Sequence, residues 1–337
     1  MQQPAPVTPE LFWDTIWAFQ RTAAMKAAIE LEIFTTVSKG NTTAETIAKT
    51  SGAVERGVRI LCDSLTVMGF LNKNGADYAL TDVSAAFLDK GAPAYLGGTI
   101  DFILSPQQKR GYDGLTQAVR LGGSPTTGDD SLDPESPMWV TFARGMLPMM
   151  MPNAQLMAEH VDADADRKLK VLDIAAGHGI FGISFARKFH NAEIYALDWA
   201  NVLAVATENA EKFGVSDRYH LIPGSAFDAD IGTGYDLVLL TNFLHHFDVA
   251  TCENLLRKIN GSLAEGGKVL TLEFVPNDDR VSPPAEAMFS LVMLAGTPAG
   301  DAYTFAELKQ MFENAGFAHN EHIPLPPTPQ HLIISSK

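Results

Sequence analysis

Two adjacent histidines, His245 and His246, follow an apolar run in "LVLLTNFLHHFD", residues 237–248 of a 337-residue chain with nine histidines. An unbroken apolar run behind Gly232 and Gly234 reads as a strand buried on both faces. Residues just past its carboxyl end then lie where open α/β sheets bind their ligands. A histidine placed there can take up a proton near neutral pH, because the free side chain titrates near ~6.5.

A second group of residues precedes this pair. Asp173 ends the strand candidate "KVLDIAAG" and opens a turn of the form D-x-A-x-G-x-G, with Ala175, Gly177 and Gly179. Small residues and glycines let a ligand approach the backbone before the next helix begins. A dinucleotide-binding turn prefers G-x-G-x-x-G without an acid, because its ligand brings an anionic pyrophosphate. An acid here suits a cationic ligand. Asp198 closes the next strand, "EIYALD", at the position from which a carboxylate reaches ribose hydroxyls. A third strand runs into "PGSAFD", where Ser225, Ala226 and Phe227 can border an adenine ring. Thr241, at the end of the apolar run, completes this set.

The elements that must position these residues begin at Leu169. "KVLDIAAG", "EIYALD", "YHLIPGS", "YDLVLLTN", "KVLTLEF" and "HLIISSK" are strand candidates, most of them separated by helical segments. That alternation predicts a doubly wound, mainly parallel sheet. Glu273, in "TLEF", ends the strand expected beside the one leading to His245, so the two side chains can meet at the carboxyl edge.

The amino-terminal third reads differently. "AAMKAAIELEIFTTV" has helical apolar spacing, and "NTTAETIAKTSG" has Thr42 or Thr43 as N-cap ahead of Glu45, with Gly52 closing the helix. "VERGVRILCDSLTVMGF" is a second amphipathic helix, and Asn74-Gly75 in "LNKNGADYALT" signals a tight hairpin. Helix, turn, helix and hairpin make a winged-helix pattern. Domains are expected at 1–104 and 105–337.

Composition narrows the partners. The formal charge of −15 and the absence of a basic run oppose binding to a phosphate backbone. Across the winged segment, six basic residues (Lys39, Lys49, Arg56, Arg59, Lys73, Lys90) balance six acidic ones (Glu45, Glu55, Asp63, Asp77, Asp82, Asp89). A neutral docking face argues for packing or dimerisation rather than DNA. No run of about 18 apolar residues could span a bilayer, and "MQQPAPVTPELFW" has no signal-peptide character, so a cytoplasmic protein without membrane contact is expected. The two cysteines, Cys62 and Cys252, sit far apart on helical segments and offer neither a disulfide framework nor a CxxC metal site.

Between 97 and 158 lie further helices joined by the loop "GGSPTTGDDSLDPESP". The following "MWVTFARGMLPMMMPNAQLM" is rich in methionine, which serves both as adaptable core and as a lining for flat aromatic ligands. Trp139, Phe142, Met146, Met149, Met150, His246, Phe289 and Met293 are the candidate substrate-wall residues, with core packing as the alternative for the apolar ones.

The order of strand-end acids and glycine turn resembles the S-adenosylmethionine-dependent methyltransferases of the Rossmann-like class. The helical amino-terminal module, "RGM" at 144–146, "LHHFD" at 244–248, "LAEGGKVLTLEF" and "YTFAELKQMFENAGF" narrow it. Together they resemble the dimeric small-molecule O-methyltransferases typified by plant phenolic enzymes and bacterial polyketide-tailoring enzymes, from about Phe12 onward. The resemblance implies a winged-helix dimerisation domain followed by a Rossmann-like α/β domain, a homodimer, S-adenosylmethionine as cofactor with S-adenosylhomocysteine as product, and no metal. It places the general base on His245 and the carboxylate that braces it on Glu273. A positioned base and an in-line nucleophile are most of what methyl transfer to a hydroxyl needs.

Several positions depart from the family pattern. Ala175 and Ala176 stand where glycines are usual, Ser225 replaces an aspartate, and Ala302, beside Asp301, replaces a second glutamate near the base. His246 stands where the family shows aspartate, and it either faces the substrate or caps the following helix. The leading expectation is O-methylation of a hydroxyl on an aromatic or polyketide-like small molecule. The alternatives are an S-adenosylmethionine-binding relative that catalyses hydroxylation or decarboxylation, and a non-catalytic dimeric binding protein.

Overall fold

The computed structural model describes residues 7–125, 136–162 and 164–337. The chain divides into two compact units, residues 1–100 and 101–337. Residues 126–135 of the loop expected at 122–137 lie outside the described residues.

The first unit is helical with one hairpin: α1 (Glu10–Glu30), α2 (Ile33–Ser38), α3 (Ala44–Ser51), α4 (Glu55–Val67), β1 (Leu71–Asn74), β2 (Asp77–Leu80) and α5 (Asp82–Phe87). Thr43 is the N-cap of α3 and accepts the N–H of Thr46, while Gly52 closes the helix with φ 65°. The reciprocal partner in this capping box is Thr46, not the neighbouring Glu45. In α4 the buried Val58, Cys62 and Leu65 fall on one helical face and pack with Ile33, Phe34 and Tyr78. The segment expected as one helix through Val37 is two, because Glu32 takes a left-handed conformation at φ 52° and turns the chain between α1 and α2. The hairpin turn is Gly75-Ala76, one residue later than the Asn-Gly signal, since Asn74 pairs with Asp77.

The second unit opens with short helices, α6 (Ile100–Ile103), α7 (Pro106–Asp113) and α8 (Leu115–Leu121), then the long α9 (Pro137–Glu159). The α/β part follows: β3 (Lys170–Ile174), α10 (Ile180–Lys188), β4 (Glu193–Asp198), α11 (Ala200–Lys212), β5 (Tyr219–Pro223), β6 (Tyr235–Thr241), α12 (Val249–Ser262) and β7 (Leu263–Glu273). It ends with α13 (Pro284–Gly296), α14 (Phe305–Asn314), β8 (His319–Pro324) and β9 (His331–Ser336).

Seven strands form one sheet in the order β5-β4-β3-β6-β7-β9-β8. Neighbours are parallel from β5 through β7, and β9 and β8 are antiparallel. A hydrophobic core covers each face, one built with α9 and α10, the other with α12 and α14. Burial on both faces explains the unbroken apolar text of β3 and β6. Strand order reverses between β3 and β6, and the crevice at such a switch point is where ligands bind. β8 was not legible as a strand, because "HNEHIP" lacks apolar alternation and lies at the sheet edge.

Candidate active site

Asp198, at the end of β4, is held by two backbone donors: Gly177 N–H reaches Oδ2 at 2.8 Å, and Trp199 N–H reaches Oδ1 at 2.7 Å. Burial outweighs these bonds and pushes its pKa up to about 6. Asp173 lies deeper. Its Oδ2 accepts the N–H of Gly182 at 2.9 Å, its Oδ1 has no hydrogen-bond partner, and burial raises its pKa to about 8. The turn above it alternates left-handed residues, Ala175 (φ 54°), Gly177 (φ 58°) and Gly179 (φ 75°). Ala175 adopts this left-handed conformation at a cost of roughly 1–2 kcal/mol, whereas glycine adopts it freely. A Cβ on Gly179 would stand 2.7 Å from the Tyr219 hydroxyl, so that position must stay bare.

A cavity of about 590 Å³ opens above this turn. Ala175, Gly177 and Asp198 line it, as do Ser225, Ala226, Phe227 and Thr241. Of the expected cofactor-side residues, Asp173 and Gly179 do not line it and instead shape the turn from below. Trp139, Phe142, Met150 and His246 form part of the wall. An aromatic series runs along it, with ring centroids 5.6 Å apart from His246 to Trp139, 5.9 Å to Phe142 and 6.3 Å from Phe142 to His178.

Four expected wall residues are not on this surface. Met146 and Met293 are buried, Met149 is exposed, and Phe289 packs between His245 and Phe274 at 4.8 and 4.0 Å. Periodicity places a residue on a helix without fixing which neighbour its face will meet.

His245 and Glu273 are brought together at the carboxyl edge, both buried. His245 Nδ1 lies 2.5 Å from Glu273 Oε2, and Glu273 Oε1 accepts the N–H groups of Phe243 and Leu244 at 3.0 and 2.9 Å. With Nδ1 engaged, Nε2 has no hydrogen-bond partner among the described residues and is the nitrogen available for proton transfer. His245 sits behind His246, with centroids 4.4 Å apart, and only His246 lines the cavity. Burial among rings, and then the neighbouring His245, hold the His246 pKa well below its ordinary value, so that ring is neutral at pH 7. The helix cap it was considered for is made by Asp248, which accepts the N–H of Thr251 at 3.0 Å.

Ala302 is fully buried and Asp301 pairs with Arg280 at 3.0 Å, so neither braces His245. Sequence reasoning missed His178, Asn242 and the loop Thr297–Ala299 on the cavity wall. His178 was readable as the middle residue of the glycine turn, and Asn242 as the residue just past β6. The 297–299 loop carried no signal, since it reaches the site through tertiary packing alone.

Residues 138–318 match the O-methyltransferase domain, and residues 13–90 match the O-methyltransferase dimerisation domain. The chain belongs to the O-methyltransferase family. The resemblance read from its sequence, to S-adenosylmethionine-dependent O-methyltransferases of the dimeric small-molecule type, therefore holds. This O-methyltransferase is 28% identical over 317 residues to a 3-hydroxy-5-methyl-1-naphthoate 3-O-methyltransferase of Streptomyces sahachiroi, covering 93% of this chain and 90% of that one. A crystal structure of a protein from Nostoc punctiforme, proposed to be an O-methyltransferase, superposes with TM-score 0.94 at 52% identity, covering 99% and 100% of the two chains. Human N-acetylserotonin methyltransferase in complex with S-adenosylmethionine shares the fold, with TM-score 0.87 at 20% identity over 100% and 99% of the chains. Among the described residues no helix is long and apolar enough to cross a membrane.

Proposed function

We propose that this O-methyltransferase moves a methyl group from S-adenosylmethionine to a hydroxyl on an aromatic or polyketide-like small molecule, with His245 as general base. The observation that carries this reading is the His245–Glu273 pair, beside a cavity that begins at the glycine turn and Asp198.

The residues fit the cofactor. Asp198 offers a carboxylate at a β-strand end for ribose hydroxyls, Ala226 and Phe227 offer an apolar surface for a base, and the turn lines the cavity with the small residues Ala175, Ala176 and Gly177. When bound, the cofactor supplies a methyl on a positively charged sulfur, and a wall containing Asp198, Asp228 and Asp248 suits a cation. His245 Nε2 takes the acceptor's proton as its oxygen attacks. Glu273 holds Nδ1 in its N–H tautomer and favours the imidazolium that forms. Trp139 and Phe142 offer flat surfaces for a planar acceptor. The dimerisation domain supports a homodimer assembled through the first unit.

The test is transfer of labelled methyl from S-adenosylmethionine to a panel of phenols and hydroxylated polyketides. Labelling of hydroxyl oxygen, lost in His245→Ala, is expected. Conversion of the acceptor into a decarboxylated or hydroxylated product, with no methyl transferred from the cofactor, would instead support the non-methylating alternative.

A further inference from the structure

His178 stands between Gly177 and Gly179, in the turn that joins β3 to α10, and only 3% of its surface is exposed. Its Nδ1 accepts the backbone N–H of Ile180 at 3.2 Å. An accepting Nδ1 on a neutral ring puts the proton on Nε2. Burial keeps the ring neutral, with a pKa down to about 4. The ring is clamped beside Phe142 and Phe181, and Asn209 Nδ2 holds the His178 carbonyl at 2.9 Å. Yet Nε2 has no hydrogen-bond partner among the described residues, although the residue lines the cavity. A donor without a partner, on a ring so buried and firmly held at the cavity wall, is available to a ligand acceptor.

The sheet says which acceptor. The carboxyl ends of β5, β4, β3 and β6 stand side by side in that order, about 4.8 Å apart. Ser225–Phe227 follow β5, Asp198 ends β4, His178 follows β3, and His245 follows β6. With the base near β5, the ribose on Asp198 and the transferred methyl directed toward His245, the methionine arm lies over the β3 turn. That arm ends in a carboxylate. Among the described lining residues there is no lysine or arginine to receive it.

We propose that the Nε2–H of His178 recognises the carboxylate of the cofactor's methionine arm and selects for cofactors that carry it. This rests on the proposed function above. A neutral donor in a fixed tautomer binds the carboxylate without adding a positive charge beside the sulfonium.

The experiment measures binding by calorimetry, without acceptor, of S-adenosylhomocysteine and of the analogue that lacks only its carboxylate. The unaltered protein should prefer S-adenosylhomocysteine by about 10- to 100-fold, the range for a hydrogen bond to a charged group. His178→Phe, which keeps a flat ring, should bind the two ligands alike, with the analogue's affinity unchanged. His178→Gln, which keeps an N–H at similar reach, should recover part of the preference. Retention of the full preference in His178→Phe would overturn the assignment, and so would equal weakening of both ligands, which marks a structural role. Failure of the unaltered protein to bind S-adenosylhomocysteine would overturn the proposed function and this inference together.

Discussion

Glu273 and His245 are joined through one carboxylate that serves three donors: Oε2 meets the ring Nδ1 at 2.5 Å, while Oε1 holds the Phe243 and Leu244 N–H groups of the loop that carries the ring. Position and tautomer of the imidazole are therefore fixed by a single side chain. His245→Ala is expected to lower kcat by ~10² to 10⁴, the usual contribution of a positioned base, with S-adenosylhomocysteine affinity nearly intact. Glu273→Gln should do less harm than Glu273→Ala, since an amide still accepts from the loop. His246→Ala should raise KM for the acceptor more than it lowers kcat; a larger kcat loss there than at His245 would reassign the base.

Gly300 tests how tightly the site is held from the far side. A Cβ there would stand 2.1 Å from the carbonyl oxygen of His245 and 2.9 Å from the carbonyl carbon of His246. Neither atom can yield without shifting the backbone that carries the His245 and His246 rings. Gly300→Ala should reduce kcat by on the order of 10- to 100-fold, as small displacements of reacting groups do, and leave cofactor binding in place. Steady-state kinetics together with calorimetry separate the two.

Asp173 makes stability depend on pH. Its folded pKa of about 8 lies above the unfolded value near ~3.9, so between the two the folded state holds a proton that the unfolded state has lost. Its contribution is full below the unfolded value and is lost as pH rises through the folded one, with a steepest slope of about 1.4 kcal/mol per pH unit. Urea unfolding of the cofactor-free protein from pH 5 to 9 should show that loss, and Asp173→Asn should remove most of it. Parallel pH profiles for the two proteins would refute it.

The strand-end residues were legible because a parallel sheet converts sequence order into spatial order: Asp198, Thr241 and Glu273 end their strands, Asp173 stands one residue before the end of β3, and the ends of adjacent strands meet at one edge. What was illegible depended on packing between elements. Met146 and Met150 lie one helical turn apart on α9, and both are buried, but only Met150 reaches the cavity. Pro148 and Pro152 sit inside α9 without ending it, contrary to their usual effect. The left-handed Glu32 that splits α1 from α2 is neither glycine nor asparagine, so no local signal marked the break.

Asp198 couples cofactor binding to pH in the opposite sense to Asp173's effect on stability. A carboxylate that accepts ribose hydroxyls must be ionised, and burial places its pKa at about 6 in the free protein. Affinity for S-adenosylhomocysteine should be constant above neutrality and fall as pH drops through 6. Asp198→Asn should bind weakly and with little pH dependence over the same range. A wild-type affinity that stays flat from pH 7.5 to 5 would remove Asp198 from the ribose site.

The homodimer is tested on α1. Leu11, Phe12, Trp13, Ile16, Trp17 and Phe19 are all exposed on this helix in the single chain, and Trp13 stacks on Trp17 at 5.1 Å. So large an apolar surface is rare on a monomer, and a twofold interface would cover the same surface on both copies. Replacing Trp13 and Trp17 together by glutamate places two charges in any such interface, where unpaired burial is prohibitive. Sedimentation should show a dimer for the unaltered chain at micromolar concentration and a monomer for the double variant, with circular dichroism unchanged. A monomeric unaltered chain would refute the dimer, whereas a double variant that remains dimeric would place the interface elsewhere than on α1.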